Sequence, residues 1–229
     1  MKQARERHLE VVRTARFWVL GSENAAPGEV WFVLHGYRQL AQRFLRRFRP
    51  LDDGTRLLVA PEGLSRFYVE TAPGRHGAES VVGAAWMTRE DREHEIADYV
   101  RYLDALGREV LAGLAAPPTV TVLGFSQGVA TACRWTVLGA LRPHRLVLWG
   151  DHLPPDLPLD QARAAWAGTG VVRVRGDRDP IFQDEAAARA EEDRLRGAGV
   201  RSPILTFPGG HEIDPRALAS LLDEPGRPT

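Results

Sequence analysis

The chain has 229 residues, of which 44% are hydrophobic and 26% are charged, a balance that is typical of a globular protein and excludes a largely disordered one. Its formal net charge is zero, so the composition gives no reason to expect nucleic acid or an anionic membrane as a partner. Cys133 is the single cysteine, which excludes an intramolecular disulfide and a cysteine-based metal cluster.

The first residues are charged and lack the apolar stretch that a signal peptide requires. No apolar run approaches the roughly 18 residues of a membrane helix. We therefore expect a soluble, cytoplasmic protein without a membrane span. No linker divides the chain, so residues 1–229 are expected to form one domain, with a flexible segment over 1–8, as a monomer or homodimer.

Short β-rich runs alternate with longer segments of helical spacing. In the first part of the chain, the pattern predicts strands over 9–20, 29–34 and 55–60 and a helix over 39–49. The apolar run Val-Trp-Phe-Val-Leu at 30–34 is typical of a strand that is covered on both faces. Residues 61–87 are predicted to be irregular, and a loop of this length in a compact domain is usually functional.

A strong helix follows over about 88–114, with Thr88 as its predicted N-cap. The remaining pattern predicts strands over 119–123, 145–149, 170–175 and 203–207 and helices over 127–140, 158–167, 184–197 and 214–223. This alternation predicts an α/β fold with a mostly parallel central sheet and helices on both faces. The chain is too short for a large inserted lid domain.

Residues 124–128 read Gly-Phe-Ser-Gln-Gly, which matches the pattern Gly-x-Ser-x-Gly. A tight turn with a capping serine would give the same short pattern. The strand predicted before it and the helix predicted after it favour a nucleophile elbow, with Ser126 as the nucleophile. This context resembles the α/β-hydrolases, in which the catalytic residues follow in the order serine, acid, histidine.

Two aspartates follow the strand at 170–175 and are candidates for the acid. Asp177 could cap the turn or pair with Arg178, whereas Asp179 precedes a proline that holds its backbone extended. An acid that orients a histidine must be rigid, so we prefer Asp179. His211 follows two glycines after the last strand and is the only histidine after the acid. The sequence therefore predicts a Ser126–His211–Asp179 triad.

Four motifs together resemble the phospholipase/carboxylesterase family, which includes the acyl-protein thioesterases. They are Leu-His-Gly at 34–36, Gly-Phe-Ser-Gln-Gly at 124–128, Gly-Asp-Arg-Asp at 176–179 and Gly-Gly-His at 209–211. The family's acid maps onto Asp179. The resemblance extends from about residue 29 to residue 220 and implies the α/β-hydrolase fold and ester hydrolysis without a cofactor or metal.

The chain departs from the family at three places. Val129 stands where the family usually has a second glycine, and residues 37–40 (Tyr-Arg-Gln-Leu) replace a small or acidic run. Residues 83–91 resemble a bacterial esterase branch more than the thioesterases. These departures leave the catalytic motifs intact and bear on the substrate.

The resemblance also implies where the oxyanion of the reaction is held. Two backbone N–H groups must point at the developing negative oxygen, and we assign them to Tyr37, after the His-Gly pair, and Gln127, after the nucleophile. His35 is then a scaffold residue, since it lies too early in the chain to be the base. His94 and Asp98, four apart on a predicted helix, could contact a metal, but a solvated face is favoured.

The leading hypothesis is a serine carboxylesterase that cleaves small-molecule esters of short to medium acyl chains. The candidates for an apolar pocket wall are Tyr68, Trp86, Met87, Leu153 and Phe182, for each of which core packing is the alternative. A second hypothesis keeps the triad but makes the protein an acyl-thioesterase, lysophospholipase or peptidase. A third is a non-catalytic binding module, which a complete triad disfavours.

Overall fold

The computed structural model describes residues 4–21, 26–69 and 76–223. Its strands are β1 (Phe17–Leu20), β2 (Glu29–Leu34), β3 (Arg56–Pro61), β4 (Ser65–Tyr68), β5 (Val82–Ala85), β6 (Thr119–Phe125), β7 (Arg145–Trp149), β8 (Gly170–Gly176) and β9 (Ile204–Phe207). Its α-helices are α1 (Ala41–Leu45), α2 (Arg92–Ala112), α3 (Gln127–Leu138), α4 (Leu159–Ala165), α5 (Glu185–Gly197) and α6 (Pro215–Asp223), and short 3₁₀ helices cover Arg46–Leu51 and Pro180–Phe182.

A seven-stranded sheet has the strand order β1-β3-β2-β6-β7-β8-β9. Its edge strand β1 is antiparallel to β3, and all other neighbours are parallel, which confirms the predicted mostly parallel sheet. The chain passes from β2 to β3 on one side and returns to β6 on the other. Ligands of such sheets bind outside the carboxyl ends of the strands at this switch point. The loops that follow β2 and β6 meet there, where Leu34 pairs with Gly124.

The apolar run of β2 is shared between two cores. Val30, Phe32 and Leu34 belong to a cluster with side chains of α2 and α3. Trp31 and Val33 belong to a second cluster with side chains of α1 and α6. Successive side chains of a strand point to opposite faces, so a continuous apolar run is what a doubly covered strand needs. Helices therefore pack on both faces of the sheet, as predicted.

The first strand and the first helix are shorter than predicted. β1 begins only at Phe17, and no regular structure covers residues 4–16. Leu9, Val11 and Val12 are exposed, so they have no packing that would favour a strand. The predicted helix over 39–49 is α1 followed by a 3₁₀ helix that contains Pro50, which has no N–H to donate to the carbonyl of Arg46 and so interrupts α-helical hydrogen bonding.

The prediction that residues 61–87 are irregular is wrong in part. β4 and β5 form a two-stranded antiparallel sheet, from Ser65 opposite Ala85 to Tyr68 opposite Val82. The sequence of β5 is Val-Gly-Ala-Ala, which has little intrinsic strand preference. Gly83 is required where it stands, since a Cβ there would lie 2.5 Å from the carbonyl oxygen of Arg38. β5 thus packs directly on the loop after β2.

The start of α2 also differs from the prediction. The residue that precedes the helix is Asp91, in the left-handed region at φ 48°, and not Thr88. The Thr88 hydroxyl instead contacts Glu95, and its backbone N–H donates to the same carboxylate. Within residues 4–21, 26–69 and 76–223, every helix is too short or too polar to span a membrane.

Candidate active site

Ser126 lies in the sharp turn between β6 and α3, with φ 53° and ψ −125°. A non-glycine residue rarely adopts this conformation, and it persists only where its surroundings enforce it. The two flanking glycines allow the close backbone packing that holds Ser126 in this conformation. A Cβ on Gly124 would lie 2.2 Å from the carbonyl oxygen of Gly128, and a Cβ on Gly128 would lie 2.3 Å from that of Leu34. The Gly-x-Ser-x-Gly pattern is therefore a steric requirement of this turn.

The loop after β2 lies against the nucleophile. A Cβ on Gly36 would stand 3.1 Å from the Cβ of Ser126, so only glycine lets the loop approach without displacing a neighbour. The Gly36 N–H donates to Gln39 Oε1 at 2.9 Å, and Arg38, at φ 65°, donates its N–H to Ala84. The loop is thereby fixed by its own glutamine and by β5.

Two backbone N–H groups, one in the loop after β2 and one at the start of α3, are available to bind a ligand. Within the described ranges, neither the N–H of Tyr37 nor that of Gln127 donates a hydrogen bond. Gln127 is the first residue of α3, where the helix leaves its amides unpaired and carries partial positive charge. Both groups are those that the sequence analysis assigned to an oxyanion hole.

His35 is buried beneath this loop and holds its shape. Its Nε2 accepts the Gly63 N–H at 3.0 Å, and its Nδ1 lies 2.8 Å from the carbonyl oxygen of Gly36. Because an amide N–H only donates and a carbonyl only accepts, the ring must be neutral with its proton on Nδ1. Burial lowers the pKa of His35 to about 4, against the opposing effects of the Gly36 hydrogen bond and the Glu62 charge.

Trp86 completes the support of His35. Its indole Nε1–H donates to the His35 carbonyl at 2.8 Å, and the two rings stack with centroids 5.0 Å apart. The Trp86 side chain is 2% exposed and belongs to the core on the α2 side of the sheet. Its position corresponds to the packing alternative that the sequence left open for this residue.

Glu62 is a buried carboxylate that the sequence analysis did not single out. It accepts hydrogen bonds from Arg16 at 2.7 Å, from Arg66 at 3.2 Å and from the backbone N–H of Ala41 at 3.2 Å. Burial alone would raise its pKa, but the hydrogen bonds from Arg16, Arg66 and the Ala41 N–H and the charge of Arg16 bring the pKa below its ordinary value. Glu62 binds the first residue of α1, and Gly63 binds His35. These two contacts fix the loop after β2 at both of its ends. An isolated glutamate in a loop gives no sequence signal of this role.

His211 and Asp179, the residues that the sequence predicted as base and acid, are in hydrogen-bond contact. His211 Nδ1 lies 2.8 Å from Asp179 Oδ2, and the Asp179 side chain is 1% exposed. The other oxygen of this carboxylate accepts the Ile181 N–H at 3.0 Å. Asp179 precedes the 3₁₀ turn that begins at Pro180, which fixes the carboxylate as the proline suggested. Because Nδ1 faces a carboxylate, Nε2 is the nitrogen left for proton transfer.

The imidazole lies beside the nucleophile's strand. Its ring centroid is 4.9 Å from that of Phe125, the residue before Ser126, and a Cβ on Gly150 would lie 3.3 Å from His211 Cε1. About a third of the His211 side chain is exposed. His211 is hydrogen-bonded to Asp179, whereas the Ser126 hydroxyl makes no hydrogen bond among the described residues. In enzymes without bound substrate, the hydrogen bond between nucleophile and base is often long and shortens only when substrate binds.

Asp177 holds the loop that carries the histidine. Its Oδ1 accepts the Gly209 N–H at 2.9 Å, and the Arg178 N–H donates to the Gly209 carbonyl. Asp177 thus has a structural role in the turn, which is one of the two roles that the sequence left open for it. Its hydrogen bond joins the loop after β8 to the loop after β9. Its carboxylate touches backbone and not the His211 ring.

Asp151 follows β7 and is a further acidic residue near His211 and Asp179. Burial raises the pKa of its carboxyl, while the N–H of His152 and the charges of His152 and His211 counteract that rise. Oδ1 accepts the His152 N–H at 2.8 Å. The His152 ring in turn packs edge-on against Phe182, with centroids 4.8 Å apart.

The residues proposed for a pocket wall occupy different environments. Trp86 and Leu153 are buried in the core, whereas Met87 and Phe182 are partly buried. Tyr68 is 49% exposed and stacks on His76. The side chain of Gln127 bridges to this region, since its Oε1 accepts the Trp86 N–H at 3.0 Å and its Nε2 donates to the Met87 carbonyl at 2.8 Å. The elbow glutamine therefore anchors the segment after β5.

Solved structures share this architecture. A carboxylesterase from Mesorhizobium loti is 20% identical, with a TM-score of 0.66 over 92% of this chain and 95% of the other. Acyl-protein thioesterase 2 of Zea mays is 15% identical, with a TM-score of 0.66 over 92% and 97%. A phospholipase/carboxylesterase from Dyadobacter fermentans is 13% identical, with a TM-score of 0.60 over 93% and 97%.

These likenesses establish a common fold along nearly the whole chain, the α/β-hydrolase fold that the motifs implied. Neither a protein-family model nor a curated protein sequence matches the chain. Function must therefore be argued from the site itself.

Proposed function

We propose that this protein is a serine carboxylesterase that forms an acyl-enzyme on Ser126. The observation that carries the proposal is the set of residues in four loops at one sheet edge, after β2, β6, β8 and β9. These loops carry a strained serine, two free amides, and a histidine bonded to a buried carboxylate at 2.8 Å. Each is a separate requirement of acyl transfer, and their occurrence at one sheet edge supports this reaction class.

In the first half of the reaction, Ser126 Oγ attacks the carbonyl carbon of the ester and its proton passes to His211 Nε2. The carbonyl oxygen becomes an oxyanion and accepts hydrogen bonds from the N–H groups of Tyr37 and Gln127. The intermediate collapses, the bond to the alcohol breaks, and His211 gives the proton to the departing oxygen. Asp179 stabilises the imidazolium while it exists and does not itself take the proton.

In the second half, water attacks the acyl-enzyme. His211 takes a proton from the water and returns it to Ser126 Oγ as the ester bond to the serine breaks. A carboxylic acid leaves, and the resting serine is regenerated. All groups needed for both halves come from this chain, so the proposed reaction uses no cofactor.

The proposed substrates have short to medium acyl chains. Tyr37, which follows Gly36 and is exposed, stacks on the partly buried Phe67 with ring centroids 5.4 Å apart. Apolar surface of this kind favours each added methylene by ~0.8 kcal/mol until the surface ends. The small sheet of β4 and β5 lies beside this pair. We expect it to be too short to cover a long acyl chain.

A second candidate is an acyl-thioesterase or lysophospholipase that uses the same residues. The fold shared with acyl-protein thioesterase 2 of Zea mays favours it. The chemistry at Ser126 would be identical, and only the leaving group or the length of the acyl chain would differ.

The test is a matched substrate panel: p-nitrophenyl esters from acetyl to palmitoyl, one acyl-thioester and one lysophospholipid. We expect the highest kcat/KM for short to medium esters. An optimum at palmitoyl, or a clear preference for the thioester or lysolipid, would replace the carboxylesterase with the second candidate. No turnover of any member would indicate a binding module.

A further inference from the structure

A second group of titratable side chains lies where the N-terminal segment meets the start of α2. His8 Nε2 is 3.2 Å from Asp91 Oδ1, and His94 Nδ1 is 2.7 Å from the same oxygen. The two imidazole rings stack with centroids 4.0 Å apart. Glu6 Oε1 lies 3.5 Å from His8 Nε2. None of these residues belongs to the proposed triad or to its supporting loops.

We propose that His8, Asp91 and His94 form a binding site for a divalent transition metal such as Zn²⁺. Their three candidate ligand atoms lie within 4.8 Å of one another. Tetrahedral zinc has bonds of about 2.0–2.1 Å to nitrogen and oxygen, which separates its ligand atoms by about 3.3 Å. All three side chains are at least two-fifths exposed, so they are free to make the small rotations that this requires.

The donor types decide which metal fits. Two imidazole nitrogens favour zinc, copper or nickel, whereas magnesium and calcium prefer an all-oxygen set. Two neutral imidazoles and one carboxylate offset one of the two charges of the ion. Glu6 is placed to offset the other as a fourth ligand, and its side chain is 78% exposed and thus mobile enough to swing inward.

The same contacts have a metal-free interpretation, in which Asp91 accepts an N–H from each imidazole. The two states differ in the position of each ring proton. The hydrogen-bonded state needs a proton on both His8 Nε2 and His94 Nδ1, whereas metal binding needs both nitrogens bare and each proton on the other nitrogen of its ring. Protonation of either imidazole to the cation competes with the metal, so binding should weaken as the pH falls.

This group replaces the pair that the sequence suggested. His94 and Asp98 were possible ligands by spacing, but Asp98 pairs with Arg101 at 2.5 Å. The structure instead brings His8 to Asp91 from 83 residues earlier in the chain. A metal bound here would link the N-terminal segment to α2, so it should stabilise the folded chain by mass action.

The test is calorimetric titration of the chelator-treated full chain with Zn²⁺ at pH 7.5. We expect one high-affinity equivalent, weakened at least about tenfold in both His8→Ala and His94→Ala, since even outer-shell partners typically contribute that much. Asp91→Asn should weaken binding as well, and lowering the pH to 5.5 should reduce it. Tetrahedral Co²⁺ would report the geometry by its intense visible absorption.

Matched controls separate this site from other surface donors. Glu93→Gln removes a neighbouring carboxylate, and His76→Ala removes an exposed histidine elsewhere. Both variants should therefore still bind one equivalent of Zn²⁺ with wild-type affinity. Circular dichroism would check that each variant is folded. Two results would overturn the proposal. One is an unchanged zinc affinity in each of the single variants His8→Ala and His94→Ala. The other is the absence of any binding by the wild-type protein at tens of micromolar Zn²⁺. Because the readout is binding, loss of esterase activity would leave this result unchanged.

Discussion

His211 Nδ1 lies 2.8 Å from Asp179 Oδ2, a carboxylate with 1% of its side chain exposed. Asp177, two residues earlier, is bonded to the backbone of Gly209 instead. The two aspartates therefore lie in one loop with different partners, and this contrast allows a controlled comparison of the proposed orienting acid with a structural aspartate.

Asp179→Asn should keep the shape of the loop but lose the charge that selects the His211 tautomer and stabilises the imidazolium. We expect kcat on a p-nitrophenyl ester to fall by about 10⁴, the loss seen for the analogous change in a serine protease. Asp177→Asn should lower kcat far less, since its amide oxygen can still accept the Gly209 N–H. The reverse ordering of the two losses would make Asp177 the acid.

Gly36→Ala tests the approach of the oxyanion loop to the nucleophile. The added methyl would stand 3.1 Å from the Ser126 Cβ and 3.2 Å from a Phe125 ring carbon, so the loop or the serine must shift. We expect kcat to fall by about 10²-fold, because a small displacement of oxyanion donors is that costly.

The control for this variant is Gly28→Ala, where the nearest atom to the new methyl would be 3.9 Å away. It should leave kcat near wild type, and both variants should unfold close to the wild-type temperature. Equal, small effects of the two substitutions on kcat would mean that the loop after β2 has no part in catalysis.

Stability should fall in mild acid because of His35. Its folded-state pKa of about 4 lies below the ordinary 6.5, since burial disfavours the charged ring. Above pH 6.5 neither state carries the proton. Between pH 6.5 and pH 4, this histidine is protonated in the unfolded chain but not in the folded chain. The free energy of unfolding therefore declines over this range, by about 3 kcal/mol in total.

Urea unfolding at pH 7 and at pH 4.5 would measure this decline. His35→Gln removes the titrating ring, so the variant, though less stable at pH 7, should lose less stability on acidification. An identical pH dependence in the variant and the wild type would assign the decline to other groups.

Trp86 should affect stability and not acyl selectivity. Trp86→Ala empties a buried site and should cost about 3–5 kcal/mol. Trp86→Phe retains most of the bulk but leaves the buried His35 carbonyl unpaired, at a cost of about 1–3 kcal/mol. The acyl-length profile of the phenylalanine variant should match wild type. A shift of its optimum toward longer chains would place the indole at the end of the acyl pocket.

The sequence predicted those parts of the site that have a local signature. The elbow around Ser126 is dictated by two glycines and by the strand and helix beside them, all within a short stretch. Asp179 and His211 became candidates because each follows a predicted strand of a parallel sheet, where the carboxyl ends converge.

Contacts between distant segments left no such signature. β5 forms because Val82–Ala85 pairs with β4 and lies on Arg38, although its own residues have little strand preference. Likewise, the burial of Glu62 depends on arginines at positions 16 and 66, and His8 meets Asp91 only once the N-terminal segment reaches α2. These interactions arise from packing, which periodicity does not report.

The most direct test of the proposed function is the reaction of Ser126 with a fluorophosphonate probe. The wild-type protein should be labelled at a single site, identified by peptide mass spectrometry as the one containing Ser126. The variant Ser126→Ala, with an unchanged circular dichroism spectrum, should take no label and hydrolyse no ester. Labelling or ester hydrolysis that persists at the wild-type rate in the folded Ser126→Ala variant would contradict the account.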